Sequence, residues 1–330
     1  MKHPDPLPPH LARRPFTLDE SRAASIPRSR TRAPDLWTPS RGIRVPRGAE
    51  VDLVEQCRPY TEVTRQAVVS HITAARIHGF YLPFRCSEGR SLDLSCPPGV
   101  GQPRRKHVTG HRLILPPQEI IQVRGVPVTS IQRTLLDLAP LLTLDELVAA
   151  GDQIVCAHDA GYRKPKIAMV SLEVLNTYIA GHRGHRGLAR LRGAMELVRV
   201  GVDSAQETRL RLIIVRSPLP VFEPNIRIQD AGGKPLIGPD LACEEYKTCL
   251  EYDGGHHTTS EQLDKDHDRD FITASLGWHQ VIINKMDMRQ GAPVVVTKIA
   301  RMLVRGGWPD PLELARRSLH GALGIRRDFE

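Results

Sequence analysis

The 330-residue sequence lacks any apolar run near the roughly 18 residues that a membrane-spanning helix needs. No hydrophobic stretch follows its first residues, so we expect no signal peptide and a cytoplasmic protein. Aromatic residues are few, at 5%, and the six cysteines form no C-x-x-C pair. The cysteine spacing excludes a zinc ribbon and indicates no disulfide framework, so we expect reduced, mostly buried thiols.

Acidic residues are outnumbered by basic ones. The sequence has 46 Lys and Arg against 37 Asp and Glu, which gives a formal net charge of +9. An excess of positive charge favours an anionic partner, and nucleic acid is the usual one. The length is sufficient for two or three domains with their own cores.

The N-terminal segment predicts a small DNA-binding module. Residues 1–15 are rich in proline, which predicts a disordered tail. Thr17 and Glu20 form a capping box that opens a helix ending near Ser25, and Pro27 begins a second short helix. Residues 37–46 then predict a hairpin. Two short helices followed by a β-wing outline a winged helix-turn-helix over residues 16–50.

Basic residues dominate this segment. Between Met1 and Gly48 there are ten Lys and Arg against four Asp and Glu. The side chains that we expect to contact DNA phosphates are Arg28, Arg30, Arg32, Arg41 and Arg44. The alternative is a solvated basic helix pair that binds nothing.

The middle segment, residues 51–180, predicts two strand-and-helix units. One helix begins after Ser70 and stops at Gly79, and its His71 and His78 share a face. Because no third ligand has a suitable spacing, we expect packed or capping histidines here rather than a metal site. In the second unit, Arg133 and Asp137 lie four residues apart and predict a helix ion pair.

Residues 181–203 contain a basic, glycine-containing run and predict a linker followed by a helix. The last domain then covers residues 204–310, with a tail over 311–330. It opens with a second capping box, in which the Glu207 carboxylate reaches back to the amide of the N-cap Ser204. After a strand near Ile228, we expect a helix over residues 260–276, a buried strand over 278–284 and a final helix over 293–304.

Two short strands, residues 236–243 and 248–253, predict a hairpin around a polar corner at residues 244–247. In this register Leu241 faces Leu250, and Asp240 lies opposite Glu251. Since side chains alternate along a strand, the acids share one face and the apolar residues share the other. Asp253 lies on the acidic face as well.

Opposed carboxylates repel one another unless a cation lies between them. A hard divalent ion, Mg²⁺ or Mn²⁺, suits two carboxylates, water and a substrate phosphate. The alternative is a solvated hairpin face without a function. A second E-x-K pattern, ending at Lys247, also lies nearby. We reject it because it leaves its own acids in the turn.

The ending Glu251-Tyr252-Asp253-Gly254 followed by His257 resembles the PD-(D/E)xK nuclease superfamily, in particular the branch similar to very-short-patch-repair endonucleases. The resemblance implies metal-dependent hydrolysis of DNA phosphodiesters. Asp240 and Glu251 would hold the metal with help from Glu207, while Asp253 and His257 would orient or deprotonate water. This sequence departs from the superfamily at the usual lysine, which Asp253 replaces. His257 has the alternative of a surface histidine in a glycine-rich turn.

The S-H-x-T-A-A-x-x-H-G and G-x-P-V-T-S-x-x-R-T-L-x-D-L runs of the middle segment, with the preceding winged segment, resemble the AbiEi-type antitoxin region of type IV toxin–antitoxin proteins. That resemblance implies DNA binding and a cognate toxin as a partner. The predicted fold class is α/β (α+β), with a winged helix, a mixed middle domain and a restriction-endonuclease-like mixed sheet flanked by helices. Two functions remain open: a Mg²⁺-dependent endonuclease, and a DNA-binding antitoxin or transcriptional regulator with an inactive nuclease-like domain.

Overall fold

The computed structural model describes residues 4–87, 91–159, 165–254 and 269–317. Helices and mixed sheets both contribute, so the predicted α/β class is confirmed. The chain divides into two units, Met1–Leu147 with Glu173–Arg192, and Val148–Leu172 with Gly193–Glu330. The predicted N-terminal module and most of the middle domain therefore share one unit, while residues 148–172 belong with the C-terminal part.

The first unit begins with a small three-stranded sheet of order β1-β3-β2. Its elements are β1 Phe16–Thr17, α1 Leu18–Ala23, β2 Leu36–Trp37 and β3 Ile43–Pro46. The predicted capping box is present: the Thr17 hydroxyl accepts from the Glu20 amide, and the Glu20 carboxylate accepts from the Thr17 amide. The predicted hairpin is also present, but the expected second helix is only a three-residue 3-10 helix, Arg30–Arg32.

Residues 4–15 differ from the predicted disordered tail. Leu11 is fully buried and packs in a cluster with Phe16 and Leu36. The proline-rich composition predicted disorder, but Leu11 anchors the segment and Leu7 packs against the same cluster.

A five-stranded mixed sheet of order β6-β5-β4-β8-β7 carries the rest of this unit. The elements are α2 Leu53–Val63, β4 Val68–Val69, α3 His71–His78, α4 Phe84–Ser87, β5 Leu92–Cys96, β6 Val108–Arg112, β7 Ile120–Val123, β8 Val126–Thr129 and α5 Ile131–Leu138. Helix α3 ends at Gly79, whose φ of +74° permits the left-handed cap. Three helices follow: α6 Leu144–Val155, α7 Leu172–Gly181 and α8 Leu188–Leu197.

The second unit contains the predicted hairpin. Its elements are α9 Ala205–Val215, β9 Ile228–Gln229, β10 Pro235–Ile237, β11 Leu241–Cys243, β12 Thr248–Asp253, α10 (the helical residues 269–275), β13 His279–Asn284, α11 Lys285–Gln290 and α12 Ala292–Arg305. Strands β11, β12 and β13 form one sheet, in which β12 is antiparallel to β11 and parallel to β13. The strand predicted over residues 236–243 is interrupted, because β10 pairs with β9 instead.

Apolar clusters cover both faces of this sheet. Leu241, Leu250 and Ile283 pack with residues of α9 and α12 on one face. Ala242 and Cys249 are buried on the other, with Ile228, Ile237 and Trp278. The acidic face of the hairpin is therefore apolar over part of its length, and Ile282, expected to be buried, is 46% exposed. None of the described helices is long and apolar enough to cross a membrane.

Candidate metal-binding sites

The hairpin has the predicted register. Leu241 pairs with Leu250 and Cys243 with Thr248. Extending this ladder by one position would set Asp240 opposite Glu251, but the regular pairing ends at Leu241, because the Asp240 amide donates to the Leu250 carbonyl at 3.1 Å. Glu251 lies near the carboxyl end of β12, beside the parallel strand β13. In open sheets, binding sites commonly form at the carboxyl ends of parallel strands.

Both carboxylates of this acid pair already accept hydrogen bonds. Asp240 Oδ2 accepts from the Tyr252 amide at 2.8 Å. The Glu251 carboxylate accepts from the Arg269 guanidinium, which also donates to the Gly238 carbonyl at 3.2 Å. A cation therefore lies at Glu251, as opposed carboxylates require, and it belongs to α10 of the same unit.

Glu207 takes part in capping α9, but its carboxylate bonds to the residue before the predicted one. Its amide donates to the Ser204 hydroxyl at 3.1 Å. Its carboxylate accepts from the amide of Asp203 at 2.9 Å rather than from the N-cap amide of Ser204. Asp253 is exposed at the end of β12, and His257 lies outside the described residues.

The rejected E-x-K pattern lies in the hairpin turn. The Lys247 amide donates to the Glu244 carbonyl at 3.2 Å, and Lys247 has a φ of +41°. Its carbonyl accepts from the His279 amide at 2.7 Å. In the observed strand pairing, Glu245 therefore lies in the turn and not across the hairpin from Asp240.

A different trio of side chains is drawn together more tightly. Within residues 4–87, 91–159, 165–254 and 269–317, the one group of three His, Cys, Asp or Glu side chains with ligand atoms all within 4.8 Å is Cys156, His158 and Asp203. The His158 Nε2 to Asp203 Oδ2 distance is 2.7 Å. Cys156 Sγ lies 3.7 Å from that nitrogen and 3.3 Å from Asp203 Oδ1.

Two polar residues flank this trio. Asn225 Oδ1 lies 3.0 Å from His158 Nδ1, and Lys166 Nζ lies 3.2 Å from Asp203 Oδ1. Burial raises the pKa of the Cys156 thiol to about 11. Partial burial opposes ionisation of Asp203, but hydrogen bonds from His158 and Cys156 outweigh it and lower the pKa of this carboxyl well below its ordinary value.

Sequence reasoning missed the trio because it interpreted the cysteines only as reduced, mostly buried thiols. Cys156 is indeed buried, as are most of the cysteines, and all six are free thiols. The available signal was the C-x-H spacing of Cys156 and His158, since alternate residues of an extended chain point the same way. Nothing in the sequence pattern connects Asp203 to them.

The arginines predicted to contact DNA fall into two groups. The two terminal nitrogen atoms of Arg30 donate to the two carboxylate oxygens of Asp35, at 2.9 and 2.7 Å. Arg44 donates to the carbonyls of Thr31 and Ile43. Burial and the neighbouring Arg32 lower the pKa of Arg44. The exposed members are Arg28, Arg32 and Arg41.

Arg41 also lines a basic cleft of the first unit. Arg105 joins its two walls, donating to the carbonyls of Arg41 at 2.7 Å and of Val63 at 3.0 Å. The other basic side chains of the lining are Arg65, Arg104 and Lys106, and the lining includes no acidic residue. Sequence reasoning missed them because they lie far from Arg41 along the chain.

The histidines of α3 are packed, as predicted. His78 Nε2 lies 2.8 Å from the Thr129 carbonyl. His71 stacks on His111 with ring centroids 3.7 Å apart, and burial lowers the pKa of His71 to about 3. Both histidines therefore make contacts within the fold, His78 with a backbone carbonyl and His71 with the His111 ring.

No family model matches the chain. It is similar to "Uncharacterized protein MT2308" of Mycobacterium tuberculosis strain CDC 1551 / Oshkosh, with 28% identity over 148 residues, 44% of this chain and 53% of the relative. "Uncharacterized protein Rv2248" of strain ATCC 25618 / H37Rv gives the same values. The chain thus spans about half the length of the curated relatives it matches.

Proposed function

We propose that this protein is a cytoplasmic, metal-dependent endonuclease that hydrolyses DNA phosphodiester bonds at the Asp240–Glu251 acid pair. The observation that supports this proposal is the Leu241–Leu250 register of the hairpin, which brings Asp240, the residue before β11, to the part of β12 that carries Glu251. Paired carboxylates at a solvent-accessible strand end are the donor set that Mg²⁺ or Mn²⁺ takes in proteins.

The donor chemistry fits such an ion. Asp240 and Glu251 supply hard oxygen ligands, and the Arg269 guanidinium at Glu251 marks this position as one that attracts a cation. A bound divalent ion would stabilise negative charge on the phosphate and lower the pKa of an attacking water. Asp253, on the same face, would orient that water.

DNA binding is the second element of the proposal. The exposed arginines of the N-terminal segment and the basic cleft lie in the same unit, and phosphate neutralisation by such side chains supplies most non-specific DNA affinity. Arg30 and Arg44 already bond within the fold, so Arg28, Arg32, Arg41 and Arg65 are the stronger candidates for phosphate contacts.

The second candidate function is a DNA-binding antitoxin or regulator whose nuclease-like domain is inactive. The specific observation in its favour is the Arg269–Glu251 ion pair, since a fixed internal cation satisfies the acid without any metal. The replacement of the superfamily lysine by Asp253 points the same way. Both functions share the basic surface and differ only at the acid pair.

Cleavage assays separate the two functions. Purified protein is incubated with supercoiled plasmid, linear duplex and single-stranded DNA, with and without Mg²⁺ or Mn²⁺, and duplex binding is measured without metal. We expect metal-dependent cleavage that Asp240→Asn and Glu251→Gln abolish, because each change removes a ligand charge at constant size. Lys247→Ala is the matched control and should cleave normally.

Two results would contradict the nuclease. Wild-type cleavage by both acid variants would remove the acid pair from the chemistry. Tight duplex binding without cleavage under any metal condition would favour the regulator. Circular dichroism of each variant shows whether a lost activity comes from a lost fold.

A further inference from the structure

The trio comes from two segments of the second unit, one with Cys156 and His158 and the other with Asp203, and the backbones of both are fixed. Cys156 directly follows α6. The main chain of His158 pairs with that of Lys166 through two hydrogen bonds of 2.9 and 3.0 Å. Asp203 precedes the N-cap of α9, and its amide is held by Glu207. The three donor atoms are therefore brought together before any ligand binds.

The His158 ring is oriented as a metal-ligating histidine usually is. Its Nδ1 lies at the Asn225 side-chain oxygen, so its Nε2 is directed at the other two members of the trio. An outer hydrogen bond of this kind fixes the tautomer and raises the basicity of the ligating nitrogen. The Asn225 side chain lies close to the backbone of Gly201: a Cβ atom at position 201 would be only 2.2 Å from the side-chain amide nitrogen of Asn225.

The donor separations are close to those of a tetrahedral site. Zinc bonds of about 2.0 to 2.3 Å place neighbouring ligand atoms roughly 3.3 to 3.8 Å apart. The separations from Cys156 Sγ, 3.7 Å to His158 Nε2 and 3.3 Å to Asp203 Oδ1, already lie in this range. The 2.7 Å between His158 Nε2 and Asp203 Oδ2 is shorter because these two atoms are joined by a hydrogen bond and its proton. A metal that replaces this proton opens the distance slightly.

The charges of the trio also suit a divalent ion. One thiolate and one carboxylate balance a charge of +2, and the neutral imidazole adds a third donor. Lys166, whose pKa is raised by hydrogen bonds to Cys156 and Asp203 although burial opposes this, is the cation that now offsets Asp203. Its side chain is 38% exposed, so it can turn towards solvent.

We propose that Cys156, His158 and Asp203 form a binding site for a divalent transition metal ion of the zinc class, in competition with the Lys166 ammonium group. Binding releases two protons to solvent, the Cys156 thiol proton and the proton of the His158–Asp203 hydrogen bond, and displaces Lys166. A sulfur ligand with an imidazole selects zinc-class ions over Mg²⁺, so this site is chemically distinct from the all-oxygen acid pair. The inference stands whether or not the protein cleaves DNA.

Cobalt substitution tests the site. Full-length protein freed of metal by a chelator is titrated with Co²⁺, and we expect one equivalent to produce a sulfur-to-cobalt charge-transfer band that Zn²⁺ removes. Cys156→Ser should lose this band and His158→Gln should weaken binding at least tenfold. Cys249→Ala, which removes another fully buried thiol of the same unit, is the matched control and should keep it. His158→Gln also serves if Cys156→Ser does not fold.

A substitution of Lys166 should strengthen metal binding, which a variant that merely disturbs the fold would not do. Removing a like charge beside a divalent cation should tighten binding, so Lys166→Met should raise Co²⁺ affinity by about tenfold. No band in the wild type, an unchanged band in Cys156→Ser, or weaker binding in Lys166→Met would each overturn the proposal. A folded wild type with no bound metal would leave the trio as a hydrogen-bonded cluster only.

Discussion

Two arginines of this protein meet carboxylates in very different surroundings. Arg133, in the first unit, contacts Glu119 and Asp137, and the three side chains are only 3% to 5% exposed. Arg269, in the second unit, contacts Glu251, and these side chains are 26% and 19% exposed. An arginine–carboxylate pair is therefore part of the core in the first unit, whereas a pair of the same kind lies within reach of solvent in the second.

Hydrogen bonds join the side chains of the buried centre, and only Asp137 Oδ2 among its carboxylate oxygens lacks one within the described residues. Tyr178 Oη donates to Glu119 at 2.5 Å, and His182 lies 3.3 Å from the same oxygen. Arg133 donates to Asp137 at 2.8 Å. Burial raises the pKa of Asp137 to about 6 although Arg133 opposes this, so desolvation outweighs the attraction of the guanidinium. A centre of this kind fixes structure and has no exchangeable cation.

The Glu251 centre differs because its cation can be replaced. The Glu251 carboxylate lies near water, where a divalent ion can compete with Arg269 and would attract the carboxylate more strongly. Exposure, more than the identity of the paired residues, therefore separates an architectural ion pair from a candidate site.

The largest effect should come from Arg133→Met. The substitution keeps an apolar stem of similar length but leaves Glu119 and Asp137 buried without their shared cation. Removing one partner of a buried pair typically costs about 3 to 5 kcal/mol of unfolding free energy. Urea-induced unfolding followed by circular dichroism measures this loss at pH 7.

The matched control is Arg85→Met, which breaks the Arg85–Glu146 pair of the same unit, where the arginine is 52% exposed. A loss in Arg133→Met no larger than in Arg85→Met would mean that burial does not set the difference. Adding Asp137→Asn to Arg133→Met should recover part of the loss, because it removes one of the two uncompensated charges.

An intermediate effect should come from Arg269→Gln. Its pair with Glu251 is partly screened by water, so we expect a loss of only about 1 kcal/mol in the same urea experiment. The functional change should go the other way: freed from its internal cation, Glu251 should bind Mg²⁺ more tightly, and half-maximal cleavage should need less metal. A stability loss equal to that of Arg133→Met would show instead that Arg269 belongs to the core.

Local patterns predicted much of the fold. The Thr17–Glu20 capping box, the α3 stop at Gly79, the Arg133–Asp137 pair and the hairpin register were all correct. Each depends on residues close in sequence, whose geometry follows from the period of a helix or a strand. Glu119 was missed because it reaches Arg133 from a separate segment.

The limits of the sequence lie in contacts between distant segments. The pattern placed Asp240 opposite Glu251, but it gave no direct signal that Cys156 and Asp203 would meet. The assignment of residues 148–172 to the second unit is of the same kind. Binary patterning shows which face of an element is buried and leaves open which element covers it.

The smallest effect should come from the surface pair of Arg124 and Asp52. Both side chains are 53% exposed, and Asp52 is also the N-cap of α2, accepting from the Glu55 amide at 3.1 Å. Hydrogen bonds from Arg124 and from that amide lower the pKa of Asp52 to about 2. A strongly shifted pKa invites the assignment of a large stability to this pair. Water and salt screen exposed charges, however, and most such pairs contribute little.

We therefore expect Arg124→Gln to leave the unfolding free energy unchanged within error, and Asp52→Asn to behave in the same way, because asparagine retains a capping oxygen. Asp52→Ala should lose about 1 kcal/mol through the missing cap alone. Urea unfolding of the three variants at low and high salt separates the two roles of Asp52. If Arg124→Gln and Asp52→Asn both lose as much as Asp52→Ala, and the loss fades with salt, the surface pair is stabilising after all. Exposure would then be a poor guide to the ion pairs of this protein, at Glu251 as well as here.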